Sequence, residues 1–255
     1  MVVGARKDYG RQAIVPHNVT YVLLGAGLLW FGWFGFNGGS ALAANGIAAL
    51  AFVNTFLAPM ATLFVWMILD LTRTKKVTAV GAATGIVVGL VAITPAAGFI
   101  SPQSALLLGA IAAFPSYFAI LYRAKTKLDD SLDVVAAHGV GGAVGALLTG
   151  VFSQKDWSGL VDGLLFGNPD QMRIQVIGVV AVIAYSSIMT FVILKVMGAV
   201  MALRADVGDE GVGMDVTQHG EEAYSSGEGA ILVLPDVEAP SVALQARLAN
   251  EGGKA

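Results

Sequence analysis

The sequence contains no cysteine and few charged residues, and each of these two features excludes certain classes of protein. Without cysteine the chain forms neither a disulfide framework nor a thiolate metal site. Charged residues make up 13% of the chain, whereas soluble globular domains carry about 25%. A chain so poor in charge cannot cover a water-facing surface, so we expect lipid to be its solvent over much of its length. The 32 glycines favour the close helix–helix contacts that small residues permit in membranes.

Six long apolar stretches predict transmembrane helices, because a helix needs about 20 mostly apolar residues to cross the hydrocarbon core. They run over residues 19–38, 41–71, 77–96, 104–122, 134–152 and 174–203. A soluble apolar bundle is the alternative, but so many charge-free runs would aggregate in water. We therefore predict an all-α polytopic membrane protein. Its parts are a cytoplasmic N-terminal segment (1–16), a transmembrane domain (17–203) and a cytoplasmic C-terminal tail (204–255).

Loop charges predict the orientation of these helices. Three alternate segments carry three basic residues each, namely Arg6, Lys7 and Arg11, then Arg73, Lys75 and Lys76, then Arg123, Lys125 and Lys127. The loops between them hold only Lys155 and Arg173. Because basic residues collect on the cytoplasmic side, we expect a multi-pass protein of the inner or plasma membrane with both termini in the cytoplasm.

His138 is the most informative polar residue, because ionisable groups inside a span normally face a cavity or the bundle interior. A neutral histidine donates from one ring nitrogen and accepts at the other, which suits a proton relay. The alternative is a histidine that bonds a neighbouring helix for packing alone. Asp129, Asp130 and Asp133 lie just upstream. We interpret them as caps of the helix start, with direct substrate contact as the alternative.

Aromatic residues crowd the outer end of the first span in LLWFGWFGFNGGS. Interfacial anchoring explains most such clusters. A cation–π collar that holds a small cation is the alternative, with Asn37 and Ser40 as oxygen acceptors. Pro59 and Pro95 are expected to bend or end their helices.

The sequence offers nothing that indicates an enzyme. The run GVGGAVG lies inside a span without a preceding strand, so it is no dinucleotide motif. The three aspartates lack a histidine at ligand spacing. We expect no metal, no cofactor and no nucleic-acid partner.

Four segments, taken together, resemble the ammonium transporter (Amt/MEP/Rh) family, on its Amt side. They are GWFGFNGGSALAANGIAALAFVNT (32–55), ITPAAGF (93–99), DDSLDVVAAHGVGGAVGALLTG (129–150) and GVGMDVTQHGEEAY (211–224). The resemblance covers about 17–224. It implies an eleven-helix fold of two inverted five-helix repeats and a last long helix, assembled as a homotrimer with a pore in each subunit. The six spans here match helices six to eleven, the second repeat plus the last helix.

The resemblance also implies roles for single residues. Phe36 resembles a phenylalanine of the outer gate. Ser40 resembles the hydroxyl of the external ammonium site, and Trp33 resembles a tryptophan that lines the pore below the gate. His138 is similar to the second of two pore histidines that relay protons. In the tail, five residues match a segment that packs under neighbouring subunits and responds to PII signalling proteins: Asp215, His219, Gly220, Glu221 and Tyr224.

The first half of the family fold has no counterpart in this sequence, and with it goes the first pore histidine. We therefore expect that one subunit of this chain cannot close a family-type pore by itself. Two functions stay open: an ammonium channel or transporter, and a non-conducting ammonium sensor or PII-docking protein. Rh-type gas conduction is a third interpretation, which the tail and the segment around Ser40 disfavour.

Overall fold

The computed structural model describes residues 2–7, 9–11 and 15–223, which form helices joined by loops. The first four helices are α1 (Val19–Gly39), α2 (Gly46–Thr74), α3 (Ala79–Ile93) and α4 (Pro102–Arg123). A π-helical segment, Val135–Val140, continues directly into α5 (Gly141–Phe152). The remaining elements are α6 (Lys155–Ser158), a 3-10 turn (Leu164–Phe166), α7 (Pro169–Val200), α8 (Val207–Val212) and a π-helical turn (Asp215–His219). The predicted all-α class is confirmed over the described residues.

Among the described residues, five helices are long and apolar enough to cross a membrane, and the third predicted span is shorter than expected. The five are α1, α2, α4, the π-helical segment with α5, and α7. α3 has only 15 residues, fewer than the roughly 20 that a full crossing needs. It begins after Thr78, whose side chain accepts a hydrogen bond from Gly81 N. It ends before Pro95, which has no N–H to continue the helix.

Two predicted boundaries are wrong for local backbone reasons. α2 begins at Gly46, five residues later than predicted, because 41–45 form a turn in which Leu42 has φ 55°. Asn45 then caps the helix by accepting a hydrogen bond from Ala48 N at 3.0 Å. α7 begins at Pro169 rather than at residue 174, since proline fits the first turn of a helix. Pro59 does not end α2, which continues through it to Thr74.

The core forms where α2, α3 and α4 pack together, with α1 on α2 and α3, and α5 on α3 and α4. Small residues set the spacing of these helices. A Cβ on Gly109 of α4 would collide with the backbone of Ala58 in α2. Most of the fully buried side chains in this core are alanine. Such close approach replaces hydrophobic driving force with van der Waals packing, as in other membrane bundles.

A buried carboxylate joins α2, α3 and α4 near one end of the bundle. Asp70, which is 7% exposed, accepts hydrogen bonds from the phenol of Tyr117 at 3.2 Å and the hydroxyl of Thr78 at 3.1 Å. Trp66 packs edge-on against Tyr117, with ring centroids 5.1 Å apart. A buried charge is tolerated only when such donors surround it. No pattern in the sequence indicated that Asp70 binds Tyr117 and Thr78.

The chain divides into two compact units, with the boundary between Val196 and Met197. The larger unit contains α1 to α6 and most of α7. No residue of α7 is buried, and its apolar residues face every direction, as expected of a helix that lies in lipid or against other membrane helices. The smaller unit contains α8 and the second π-helical turn. Arg6 and Lys7 belong to it as well.

Candidate functional site

The C-terminal end of α1 brings Trp33, Phe36 and Ser40 together. Trp33 and Phe36 meet edge to face, with ring centroids 5.8 Å apart and planes at 68°. The Phe36 ring is 60% exposed. Ser40 also is exposed, and its hydroxyl donates to the Phe36 carbonyl at 2.7 Å. This bond leaves the lone pairs of the Ser40 oxygen free to accept a further hydrogen bond.

Trp33 is held by Thr94, the residue that precedes Pro95 at the end of α3. Its indole N–H donates to Thr94 Oγ1 at 2.8 Å, and the Thr94 hydroxyl donates to the Leu90 carbonyl at 2.7 Å. Thr94 is the last residue before Pro95 in ITPAAGF. A hydroxyl at that helix end was the available signal, but the sequence does not show which helix would face it.

The other aromatic residues of α1 pack against α2. Phe34 stacks on Phe52 with centroids 4.3 Å apart, and Trp30 lies 6.1 Å from the Phe56 ring. The Trp30 indole donates to the Thr55 carbonyl at 3.0 Å. These rings therefore join two helices, and the pair of Trp33 and Phe36 is distinct from them.

Asn37 is buried at the contact between α1 and α2. Its side chain is 5% exposed and donates to the Thr55 hydroxyl at 2.9 Å, which itself donates to the Ala51 carbonyl. Asn37 therefore connects α1 to α2 inside the protein. Its burial does not favour the alternative in which Asn37 supplies an oxygen acceptor beside the aromatic rings.

His138 lies in the π-helical segment and is exposed, between the buried Ala137 and Gly139. Among the described residues its imidazole ring makes no hydrogen bond, so the packing interpretation has no bond to support it. Single π turns are frequent at functional sites, because the wider turn changes the direction of side chains. His138 is thus exposed on a segment of unusual backbone geometry.

Two of the three aspartates upstream of His138 bind different partners. Asp130 accepts hydrogen bonds from the backbone N–H groups of Val134 at 3.0 Å and Val135 at 2.8 Å, so the predicted cap is confirmed for this residue. Asp133 has φ 54° and pairs with Arg123 at 2.6 Å. Within the described part of the chain, no group of histidine and carboxylate side chains is arranged to hold a metal ion.

The predicted tail residues form a compact turn in the smaller unit. Asp215 accepts hydrogen bonds from the backbone N–H groups of Val216 at 3.0 Å and Ala223 at 3.1 Å, and these bonds lower the pKa of its carboxyl. His219 ends the π-helical turn, and Gly220 follows with φ 74°, a conformation that favours glycine. Glu221 is exposed. Tyr224 lies outside the described residues.

α3 connects the two parts of the candidate site within the larger unit. It packs against α1, where Thr94 binds Trp33, and against the π-helical segment that carries His138. The aromatic pair and the histidine are therefore both supported by one short helix.

Known proteins resemble this chain closely. The model of the Ammonium Transporter Family matches residues 1–224. An ammonium transporter of Aquifex aeolicus (strain VF5) is 49% identical over 226 residues, which is 88% of this chain and 52% of that protein. The crystal structure of Saccharomyces cerevisiae Mep2 superimposes on this chain with a TM-score of 0.70 and 37% sequence identity. The superposition covers 72% of this chain and 44% of the Mep2 chain.

A solved structure described as a Sensor Amt Protein gives a TM-score of 0.75 with 30% identity, over 85% of this chain and 54% of that one. The chain thus spans about half the length of the relatives it matches. The family match covers most of its residues, and the helices superimpose on solved members. The chain therefore belongs to the ammonium transporter family.

Proposed function

We propose that this chain supplies half of a pathway that carries ammonium or ammonia across the cell membrane. One observation carries the proposal: the Trp33–Phe36 contact, in which Phe36 is exposed, and the exposed His138 are both supported by α3. A site that recruits a cation and a site that relays its proton are the two parts that such a pathway requires.

The outer end of α1 is suited to recruit ammonium. Aromatic faces attract small cations by about 0.5–2 kcal/mol, with more gained as water is excluded. Ser40 adds an oxygen that accepts one of the ammonium N–H groups. Phe36, exposed and in edge contact with Trp33, would act as the gate that covers the bound ion.

His138 is suited to accept and return the ammonium proton. A bare cation in an apolar lumen carries a large desolvation cost, and deprotonation to ammonia removes it. K⁺ has no proton to give up, so the same step provides selectivity. An imidazole with two free nitrogens accepts a proton at one and releases it from the other.

We further propose the topology and assembly that accompany this function. The basic segments around Arg6, Arg73 and Arg123 support a topology with both termini in the cytoplasm. The transmembrane domain would span 17–203, between the segment 1–16 and the tail 204–255. Subunits would form a homotrimer, and the tail around Asp215 and His219 would bind a PII-type regulator.

A non-conducting sensor is the second candidate. The Sensor Amt Protein structure favours it, since that protein superimposes on 85% of this chain. A sensor would use the same outer site to bind ammonium but would pass the signal to the tail instead of passing the substrate inward.

Methylammonium uptake separates the two candidates. Cells without ammonium transporters would express this chain alone, the first half of the Aquifex aeolicus transporter alone, or the two joined in one chain. Uptake that needs this chain supports transport. No uptake in any arm, together with ammonium-dependent binding of a PII protein to the tail, would replace transport by sensing.

A further inference from the structure

We propose that Thr94 is a positioning residue, which orients Trp33 and through it Phe36, and so sets how tightly the outer site holds ammonium. The part of this inference that concerns ammonium affinity rests on the proposed function. The geometric part is a hydrogen bond from Trp33 to Thr94, at the end of α3, and an edge contact from Trp33 to Phe36. It stands on the structure by itself.

The direction of the hydrogen bonds makes Thr94 a specific partner for Trp33. An indole N–H only donates, and a threonine hydroxyl has one proton and two lone pairs. Thr94 gives its proton to the Leu90 carbonyl at 2.7 Å, so its oxygen is free to accept from Trp33 at 2.8 Å. Trp33 has no second donor, and losing this acceptor would leave its N–H unpaired in a half-buried position.

The backbone around Thr94 is rigid enough to hold an orientation. The turns that follow α3 are closed by the bonds from Ala96 N to Ile93 O at 2.9 Å and from Phe99 N to Ala96 O at 2.8 Å. The buried amide of Asn54 in α2 donates to the carbonyls of Ala97 and Ile100. Thr94 is therefore fixed to the core of the bundle.

The orientation of Trp33 reaches Phe36 through their edge contact. Phe36 is 60% exposed, so few other side chains restrict its ring. A rotation of the indole would change the angle of 68° between the two rings. Because cation–π attraction depends on the distance and direction from the ring face, a rotated ring should change the affinity for ammonium.

Thr55 provides the matched comparison. It also accepts a side-chain hydrogen bond from α1, from Asn37 at 2.9 Å, and it also returns its own proton to its helix. Thr55→Val and Thr94→Val thus each remove one bond between α1 and its neighbour with nearly no change in volume. Only Thr94→Val removes the bond that holds Trp33.

The experiment uses the purified full chain labelled with fluorotryptophan and observed by fluorine NMR. The chain has four tryptophans, and Trp33→Phe identifies the resonance of Trp33. We expect Thr94→Val to move that resonance alone, and Thr94→Ser, which keeps the hydroxyl, to restore it. Thr55→Val should leave it in place. An unmoved Trp33 resonance in Thr94→Val would overturn the positioning role, whatever the chain transports.

Titration with ammonium chloride, against sodium chloride as the ionic control, tests the second part. We expect the Trp33 resonance to respond to ammonium, with apparent affinity about fivefold weaker in Thr94→Val, a factor typical of one hydrogen bond. Thr55→Val should keep the affinity of the parent chain. Equal affinity in both variants would show that Thr94 does not tune the site. No ammonium response in the parent chain would overturn the recruitment site, and with it this second part alone.

Discussion

Gly145 in α5 lies directly against the carbonyl oxygen of Ala92 in α3, where any Cβ would collide with that backbone. The contact fixes the distance between α3 and the helix that continues the His138 segment. Gly142, one turn earlier on α5, meets only Val91 Cγ1, and a Cβ there would lie 3.6 Å away.

Gly145→Ala should therefore lower the free energy of unfolding by roughly 2–3 kcal/mol, as overpacked cores do. Gly142→Ala should be neutral or slightly stabilising, since alanine favours helix. Thermal unfolding of the two variants in detergent checks this. Equal melting temperatures would show that the approach of α3 and α5 does not limit stability.

Asp130→Ala should loosen the start of the π-helical segment, because both carboxylate oxygens of Asp130 hold backbone N–H groups there. A lost helix cap costs about 1 kcal/mol, so amide exchange at Val134 and Val135 should quicken about fivefold. Asp130→Asn keeps one acceptor oxygen, so its exchange rates should lie between those of the parent chain and Asp130→Ala. Unchanged exchange in Asp130→Ala would show that the segment is held by packing alone.

Removing the phenol of Tyr117 should destabilise the bundle through Asp70. Tyr117→Phe takes one donor from a carboxylate that is 7% exposed, which should cost about 1–3 kcal/mol. In the background of Asp70→Asn the same change should cost clearly less, because the charge is gone. Chemical unfolding of the four chains forms a double-mutant cycle. Strict additivity would contradict a direct link between the two residues.

The tail should keep its main ion pair well into the acid range. Arg204 binds Glu210 at 2.6 Å and Lys7 N donates to the same carboxylate, and these contacts lower the pKa of Glu210 to about 2. Since the folded pKa lies below the ordinary value of 4.5, the stabilisation is present above pH 4.5 and is lost as the pH falls toward 2. NMR titration of Glu210 measures this. Arg204→Gln should raise the midpoint toward 4.5, and an unmoved midpoint would assign the shift to other groups.

The sequence was sufficient for features that repeat along the chain. Apolar length predicted the helices, and the cap at Asp130 followed from its place at the start of a predicted helix. The sequence did not predict which side chains of different helices contact each other. Nothing in the spacing shows that Trp33 faces Thr94, that Asn37 turns inward to Thr55, or that Asp70 meets Tyr117, because each pair joins helices whose relative rotation depends on packing.

The length of α3 was missed for a related reason. The apolar run continues past Thr94, so composition alone extends the helix to residue 96. The proline and the buried turns after it end α3 at Ile93 instead. The π-helical segment at His138 likewise has no composition signal, since the alanines and glycines around it suit either helix.

Methylammonium uptake by the chain joined to the first half of the Aquifex aeolicus transporter, with and without His138→Ala, tests the central claim most directly. If His138 relays the ammonium proton, its loss should reduce uptake by at least about tenfold, the lower range for removing a proton-transfer group. His219→Ala, in the tail, should leave uptake unchanged. Equal uptake by the parent and His138→Ala chains, at equal amounts in the membrane, would contradict the account.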